Sequence, residues 1–489
     1  MVCIAAGASY ALSVSFEASG GALPVKSGDK NRCALVLLRR DLRLQDNRAL
    51  HAACSSSEKV KVCFILDPRQ LAQHAWQSQP GLLFMLSSLM QLHEELTAMG
   101  SGLLVADGEP ATVLSALLAT GEFDAVYANR DYTPFSLRRD EAIDACCGSR
   151  RALMHWFDDA LLNAPGTVMN GSGKPYRVFT PFFRAACRNI PQEPLPAPAP
   201  ERLAPMPQHQ REKSLAALQA AGPVTSGVAA GRKAAMQIFE HLQNYAAYQA
   251  QRDIADLDAT THLSVHLKFG TVSVREVYMA LFQQLGSEHP LLRQLYWRDF
   301  FTHIAFFFPH VFGAPFDSRF ETIQWRDDQS GFQAWCDGNT GFPIVDAGMR
   351  ELKQTGFMHN RLRMITASFL VKDLHIDWRL GEAWFARHLV DYDPAVNNGN
   401  WQWAASTGCD AQPWFRIFNP WLQQQRFDHE CSYIKRWLPA LAEVEAANIH
   451  RWFCDGNPAL HPLPMLDHKV EGAKAKQLYK DAAQGVNDE

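Results

Sequence analysis

The chain has 489 residues, of which 47% are hydrophobic, 20% charged and 11% aromatic. This is a folding composition with length for two domains, and it excludes a disordered, collagenous or coiled-coil protein. Lys plus Arg number 47 against 51 Asp plus Glu, a formal charge of −4, so any anion-binding surface has to be a local patch.

Residues 1–32 read as an N-terminal extension. The first 30 are small and hydroxyl-rich and carry no Arg, which suits neither a secretory signal nor a transit peptide. Eleven scattered cysteines without a C-x-x-C pair, and no apolar run long enough to span a bilayer, point to an intracellular soluble protein with no membrane partner. The compartment, whether cytoplasm, nucleus or organelle, stays open.

From Ala34 the pattern is α/β. ALVLL at 34–38, KVCFIL at 61–66, GLLVA at 102–106 and AVYAN at 125–129 are short buried-strand runs with helical stretches such as 81–99 between them. Such alternation predicts a Rossmann-like parallel sheet with right-handed crossovers over residues 33–165. No G-x-G-x-x-G follows the first strand, and GSGK at 171–174 lacks both the earlier glycine and the Ser/Thr of a phosphate loop. Residues 166–230 read as an interdomain linker, because eight prolines between 191 and 223 cannot sustain helix or central strand. Residues 231–489 read as an all-helical domain, and 11 of the 13 tryptophans lie beyond residue 290.

Within the helical part, the hydroxyls Thr260, Thr261 and Ser264 around His262 precede a helix and suit a pyrophosphate. A helix is predicted to begin near His359 or Asn360, with Leu362, Ile365 and Phe369 on its buried face and Asn360, Arg363, Met364 and Ala367 on another that could hold something planar and polar. Asp391 and Asp393, ahead of Pro394, could accept ribose hydroxyls or balance Arg363. With no His or Cys at ligand spacing, no metal is expected.

Five ordered segments then carry a resemblance: LVLLRRDLRLQDNRAL (35–50), LLRQLYWRDFF (291–301), the run GNTGFPIVDAGMRELKQTGFMHNRLRMITASFLVKDLHIDWR (338–379), NNGNWQWAASTG (397–408) and PWFRIFNP (413–420). Together with YRVFTPFFRA (176–185) they resemble the photolyase/cryptochrome family over roughly residues 33–475, most closely the class I cyclobutane pyrimidine dimer photolyases. The resemblance implies FAD in the helical domain, held by Tyr248, Thr260, Thr261, His262, Leu263, Ser264, Asn360, Arg363, Asp391 and Asp393, with Asn397 opposite flavin N5. It implies electron transfer through Trp401, Trp378 and Trp325. It also implies a DNA and substrate surface of Arg252, Trp297, Arg298, Asn360, Arg361, Met364, Trp403 and Arg416. The related (6-4) enzymes place a His pair where Asn360 and Met364 stand, which sets this chain among the cyclobutane-dimer enzymes.

Two positions depart from the pattern. Gln294 stands where class I members place a Glu, and can exchange hydrogen bonds but not titrate. Thr133 and Val311-Phe312 stand where folate-binding members grip an antenna, so a second chromophore, folate or deazaflavin, is left open. The expected activity is light-driven repair of pyrimidine dimers in DNA by a monomeric lyase. The rival is a blue-light photoreceptor without repair, against which stands the short stretch that follows the family's final motif.

Overall fold

The computed structural model describes residues 31–222 and 227–484; of the extension expected over residues 1–32, the first 30 lie outside them, and Asn31 and Arg32 instead begin the first strand, paired with the second. Five parallel strands, β1 (Asn31–Leu38), β2 (Ser57–Leu66), β3 (Leu103–Asp107), β4 (Ala125–Asn129) and β5 (Leu153–Phe157), form one sheet in the order β3-β2-β1-β4-β5. Residues 34–38 are all 2% exposed or less, as covering helices on both faces require of a parallel strand. The four expected strands are present. β5 was not anticipated: it is an edge strand of five half-covered or exposed residues, so its sequence LMHWF lacks a buried run. The long helix α1 (Gln79–Ala98) is capped by Ser78, whose Oγ accepts from Gly81 N at 2.9 Å.

The proline-rich stretch contains more structure than its composition suggested. A helix at Gln208–Ala221 packs on β3 and on α1, and Ala204 N donates to Val60 O at 2.7 Å. The prolines stop at Pro207 and resume at Pro223, and the long window between them is helical; the expected linker also holds an earlier helix, Phe179–Ala186, with Pro181 in its first turn.

Beyond it the chain is helical. The elements that build the site are α2 (Leu263–Phe269), α3 (Pro290–Phe307), α4 (Asn360–Lys372), α5 (Trp378–His388), α6 (Pro394–Ala405) and α7 (His468–Gln484). His359 caps α4 by accepting from Arg361 N at 3.1 Å, where the sequence placed the start. Leu362, Ile365 and Phe369 are each 1% exposed or less. The preceding helix ends at Gly356 with φ of 73°, a left-handed closure that favours glycine.

The sheet and the helices meet at the loop after β1. Asp46, Arg43, Asp159 and Arg275 form a buried ion-pair group, to which Ser273 adds a hydroxyl. Leu42 N donates to Phe269 O at 3.1 Å. Gly270, with φ of 64°, lies so near Arg40 that a Cβ would strike its carbonyl oxygen, so the close approach requires glycine.

Candidate active site

Asp391 gathers three elements. Its Oδ2 accepts from Ser264 Oγ of α2 at 2.7 Å and from Arg363 Nη2 of α4 at 3.1 Å, while Arg363 Nε donates to Met358 O at 2.8 Å. Its Oδ1 is buried and has no hydrogen-bond partner among the described residues. Buried carboxylate oxygens are rarely left so, and this one supplies a strong acceptor for a ligand's hydroxyl or imide N–H. The hydroxyl run before α2 turns sharply at His262, φ 53°, whose Nε2 meets Asp258 at 2.8 Å. Thr261 Oγ1 accepts from Leu263 N at 3.4 Å, and Thr260 Oγ1 lies 3.5 Å from His262 Nε2. Helix α2 has seven residues, so its contribution is hydroxyls more than dipole. Tyr248 is half-buried, with the Arg252 guanidinium 5.8 Å from its ring centre.

Asp393 caps α6, accepting from Ala395 N at 3.1 Å and Val396 N at 3.2 Å, and pairs with Arg40 from the loop after β1. Burial alone would raise its carboxyl, but Arg40, Lys268 and Arg298 hold it down to about 2. Its charge therefore ties the helical part to the sheet. Asn397, 9% exposed, donates from Nδ2 to Glu382 O at 3.3 Å. An acceptor without a partner, a guanidinium, a group of hydroxyls and a neutral amide fit the polar edge, sugar and phosphates of a flavin nucleotide.

The three tryptophans expected to pass electrons run from interior to surface. Asn397 and Trp401 are four residues apart on α6, hence on one face, and Trp401 is 2% exposed. Its indole rests on Gly381, where any Cβ would collide with it. Gly381 is one turn from Trp378, which is 1% exposed. Arg326 N donates to His375 O at 2.8 Å, which brings the segment of the half-buried Trp325 beside the turn before Trp378.

The residues expected to meet DNA and substrate divide. Asn360 Nδ2 meets Met364 Sδ at 3.7 Å on the exposed face of α4. Gln294, Trp297 and Arg298 follow one another at helical spacing on α3, each half-buried. Trp297 is stacked flat on Phe179, centroids 3.5 Å apart and planes 7° apart, with Phe301 at 5.4 Å. Trp403 is half-buried against the helical core, and Arg416 is exposed. Two arginines are drawn inward instead: Arg298 donates to Ala160 O at 2.5 Å and Leu267 O at 3.3 Å, and Arg361 pairs with Asp253 at 2.8 Å above Phe427. These contacts occupy the guanidinium groups that a phosphate would need.

The sequence reading missed Glu382, which takes Asn397 on its main chain and Asn398 on its side chain. The available signal was a carboxylate four residues after Trp378 and three before Phe385, in phase with the buried face of α5. It also missed Arg40, the partner of Asp393 from the other end of the chain.

A parallel sheet joined to a helical body that presents these groups defines a flavoprotein of photolyase type, and the comparisons with known proteins agree. Residues 34–201 match the DNA photolyase family, and residues 291–481 match the FAD binding domain of DNA photolyase. The deoxyribodipyrimidine photo-lyase of Vibrio cholerae is 39% identical over 472 residues, covering 92% of this chain and 99% of that protein. That of Halobacterium salinarum is 37% identical over 477 residues, covering 91% and 98%. An archaeal photolyase from Sulfolobus tokodaii, solved with two FAD molecules, superposes with a TM-score of 0.82 at 38% identity, covering 92% of this chain and 100% of that one. The chain belongs to the DNA photolyase family.

Proposed function

We propose that this protein is a light-driven lyase that splits cyclobutane pyrimidine dimers in DNA. The observation that carries the reading is the alignment on α6 and α5: the buried amide Asn397, then Trp401, then Trp378, with Trp325 towards the surface. Bound and reduced FAD supplies the light-released electron that opens the dimer and recovers it afterwards, without net redox change.

Each remaining part falls to residues of the chain. Asp391, Arg363, Ser264 and the Thr260–Thr261 hydroxyls hold the cofactor, and Asp393 fixes α6 so that Asn397 keeps its place. Asn397 has no acidic proton to give, which suits a cofactor cycling in its fully reduced, anionic state. The three indoles divide one long electron transfer into short steps and serve reduction of the resting cofactor, not bond cleavage. Gln294 offers amide hydrogen bonds to the pyrimidine carbonyls. Trp403 packs on the dimer, beside the half-buried Trp297. Arg252 and Arg416 neutralise backbone phosphates.

Reaching a buried cofactor requires the dimer to leave the duplex, a step that base-flipping enzymes, photolyases among them, take at the cost of unstacking. At the folate-type antenna position, Thr133 is spent as a helix cap, accepting from Ser136 N at 3.2 Å. That leaves the side chain no free acceptor for a folate, and the Sulfolobus tokodaii photolyase, solved with two FAD molecules, supports a flavin as second chromophore.

The test is retention in darkness. A duplex with one thymine dimer should stay bound when undamaged duplex is in excess, and should be released on blue illumination. Equal retention of both duplexes would overturn the proposal.

A further inference from the structure

Glu382 is a buried acid to which the proposed repair reaction gives no task. It lies on α5, 3% exposed. Its Oε1 accepts from Asn398 Nδ2 at 3.1 Å, and its main-chain oxygen accepts from Asn397 Nδ2 at 3.3 Å. Asn398 Nδ2 also donates to Val311 O at 2.9 Å, and its Oδ1 accepts from Gln402 Nε2 at 3.2 Å. One residue of α5 thus pins two successive amides of α6, one through its backbone and one through its carboxyl.

We propose that Glu382 is a positioning residue for Asn397 and acts as the neutral acid. The proposal rests on the reading that Asn397 faces the flavin. The other two carboxylates near the site, Asp391 and Asp393, each have an arginine partner. Among the described residues no Lys, Arg or His lies within ion-pair distance of Glu382. An ionised carboxylate left buried without a partner is costly, and the group takes up a proton instead. Burial pushes its carboxyl up to about 8, against the Asn398 hydrogen bond and Arg379.

The charged groups around it have little left to offer. Arg379 pairs with Asp377 at 2.7 Å at the start of the same helix, and Asp377 acts in the opposite sense to Arg379. The Tyr392 phenol lies in the connector to α6 and is itself pushed up by burial and by Glu382. Helix α6 presents the amides of Asn397 and Asn398. No charged group of α4, of α1 or of the helix Gln329–Asp337, whose Trp335 stacks on Phe385, bears on it. If Glu382 ionised, an uncompensated negative charge would adjoin the asparagine that faces the cofactor. Addition of electrons there would become less favourable.

The experiment uses the full chain with its FAD and the variant Glu382→Gln, which preserves shape and hydrogen bonding. The infrared difference between wild type and Glu382→Gln should show a protonated carboxyl stretch at pH 7 that fades as pH passes 8, the contribution of the buried Asp299, itself pushed up to about 7, cancelling between the two. At one applied potential, the fraction of reduced flavin should fall several-fold more across that pH range in the wild type than in the variant. A wild type without such a band, or identical pH profiles of flavin reduction in the two proteins, would overturn the proposal. A wild type that shows the band but binds no FAD would instead defeat the reading of Asn397, because the infrared arm does not need the cofactor.

Discussion

Asp391 joins the hydroxyl turn, the α4 guanidinium and a buried acceptor in one side chain. Replacing it by Asn removes the charge that Arg363 and Ser264 bind. Charge-assisted hydrogen bonds contribute about 1.5–3 kcal/mol, so Asp391→Asn should weaken FAD binding by roughly tenfold to a hundredfold, measured by equilibrium dialysis of released flavin. Trp378→Phe addresses a different property. It should keep bound FAD and repair by chemically reduced protein, yet lose most light-driven reduction of the oxidised cofactor, read from the flavin absorption under illumination. Full photoreduction in that variant would remove the indoles from the account. At this scale the sequence was informative where residue types are rare together, as in N-x-x-R-M and D-x-D. It could not reveal what a residue already spends its charge on. Arg298 and Arg361 look like phosphate contacts in sequence, and only the fold shows them tied to Ala160, Leu267 and Asp253.

Helix α7 carries a lock on the surface end of the tryptophan series. Glu471 accepts from Arg326 at 3.0 Å, His375 at 2.8 Å and Lys474 at 2.7 Å. Tyr479 of the same helix lies 6.3 Å from Trp325 and donates to Ala405 O at 2.5 Å. Burial would raise the Glu471 carboxyl, but the bonds from Lys474, Arg326 and His375 hold it down to about 2, from an ordinary 4.5. A carboxyl depressed on folding contributes stability that is present above its unfolded value and lost as pH falls through the folded one. Glu471→Gln should therefore melt below the wild type at neutral pH, with the gap closing as pH drops from 4.5 towards 2. Scanning calorimetry across that range checks it, and a gap that widens towards acid would contradict it. Elements with strong periodicity or buried runs, β1, β2, α1 and α4, were legible in the sequence. The edge strand β5 was not, because half-covered positions carry no clean pattern. The helix at Gln208–Ala221 was hidden by counting prolines across a window whose second half has none before Pro223.

At the scale of the molecule, the sheet and the helical body share a buried ionic group, a loop pinned by Gly270 and the Arg40–Asp393 pair that reaches the site itself. Removing one partner from a buried ion-pair group typically costs about 3–5 kcal/mol, because the remaining charge stays buried. Arg275→Ala should lose stability of that order in denaturant unfolding, with sheet and helices affected together. A loss confined to one spectroscopic probe would show that the two parts are not coupled there. None of this coupling was readable from the chain, since the paired residues lie more than a hundred positions apart, most of them with the linker between.

The most direct measurement of the central claim is repair itself. The purified protein, with its flavin reduced by a thiol donor, is mixed with an oligonucleotide bearing one thymine dimer, and intact thymines are counted after blue light and after darkness. Recovery in light alone is the predicted result and would show that Gln294 suffices at its position. A flavin that reduces normally while the dimer persists in light would contradict the account and favour a photoreceptor without repair.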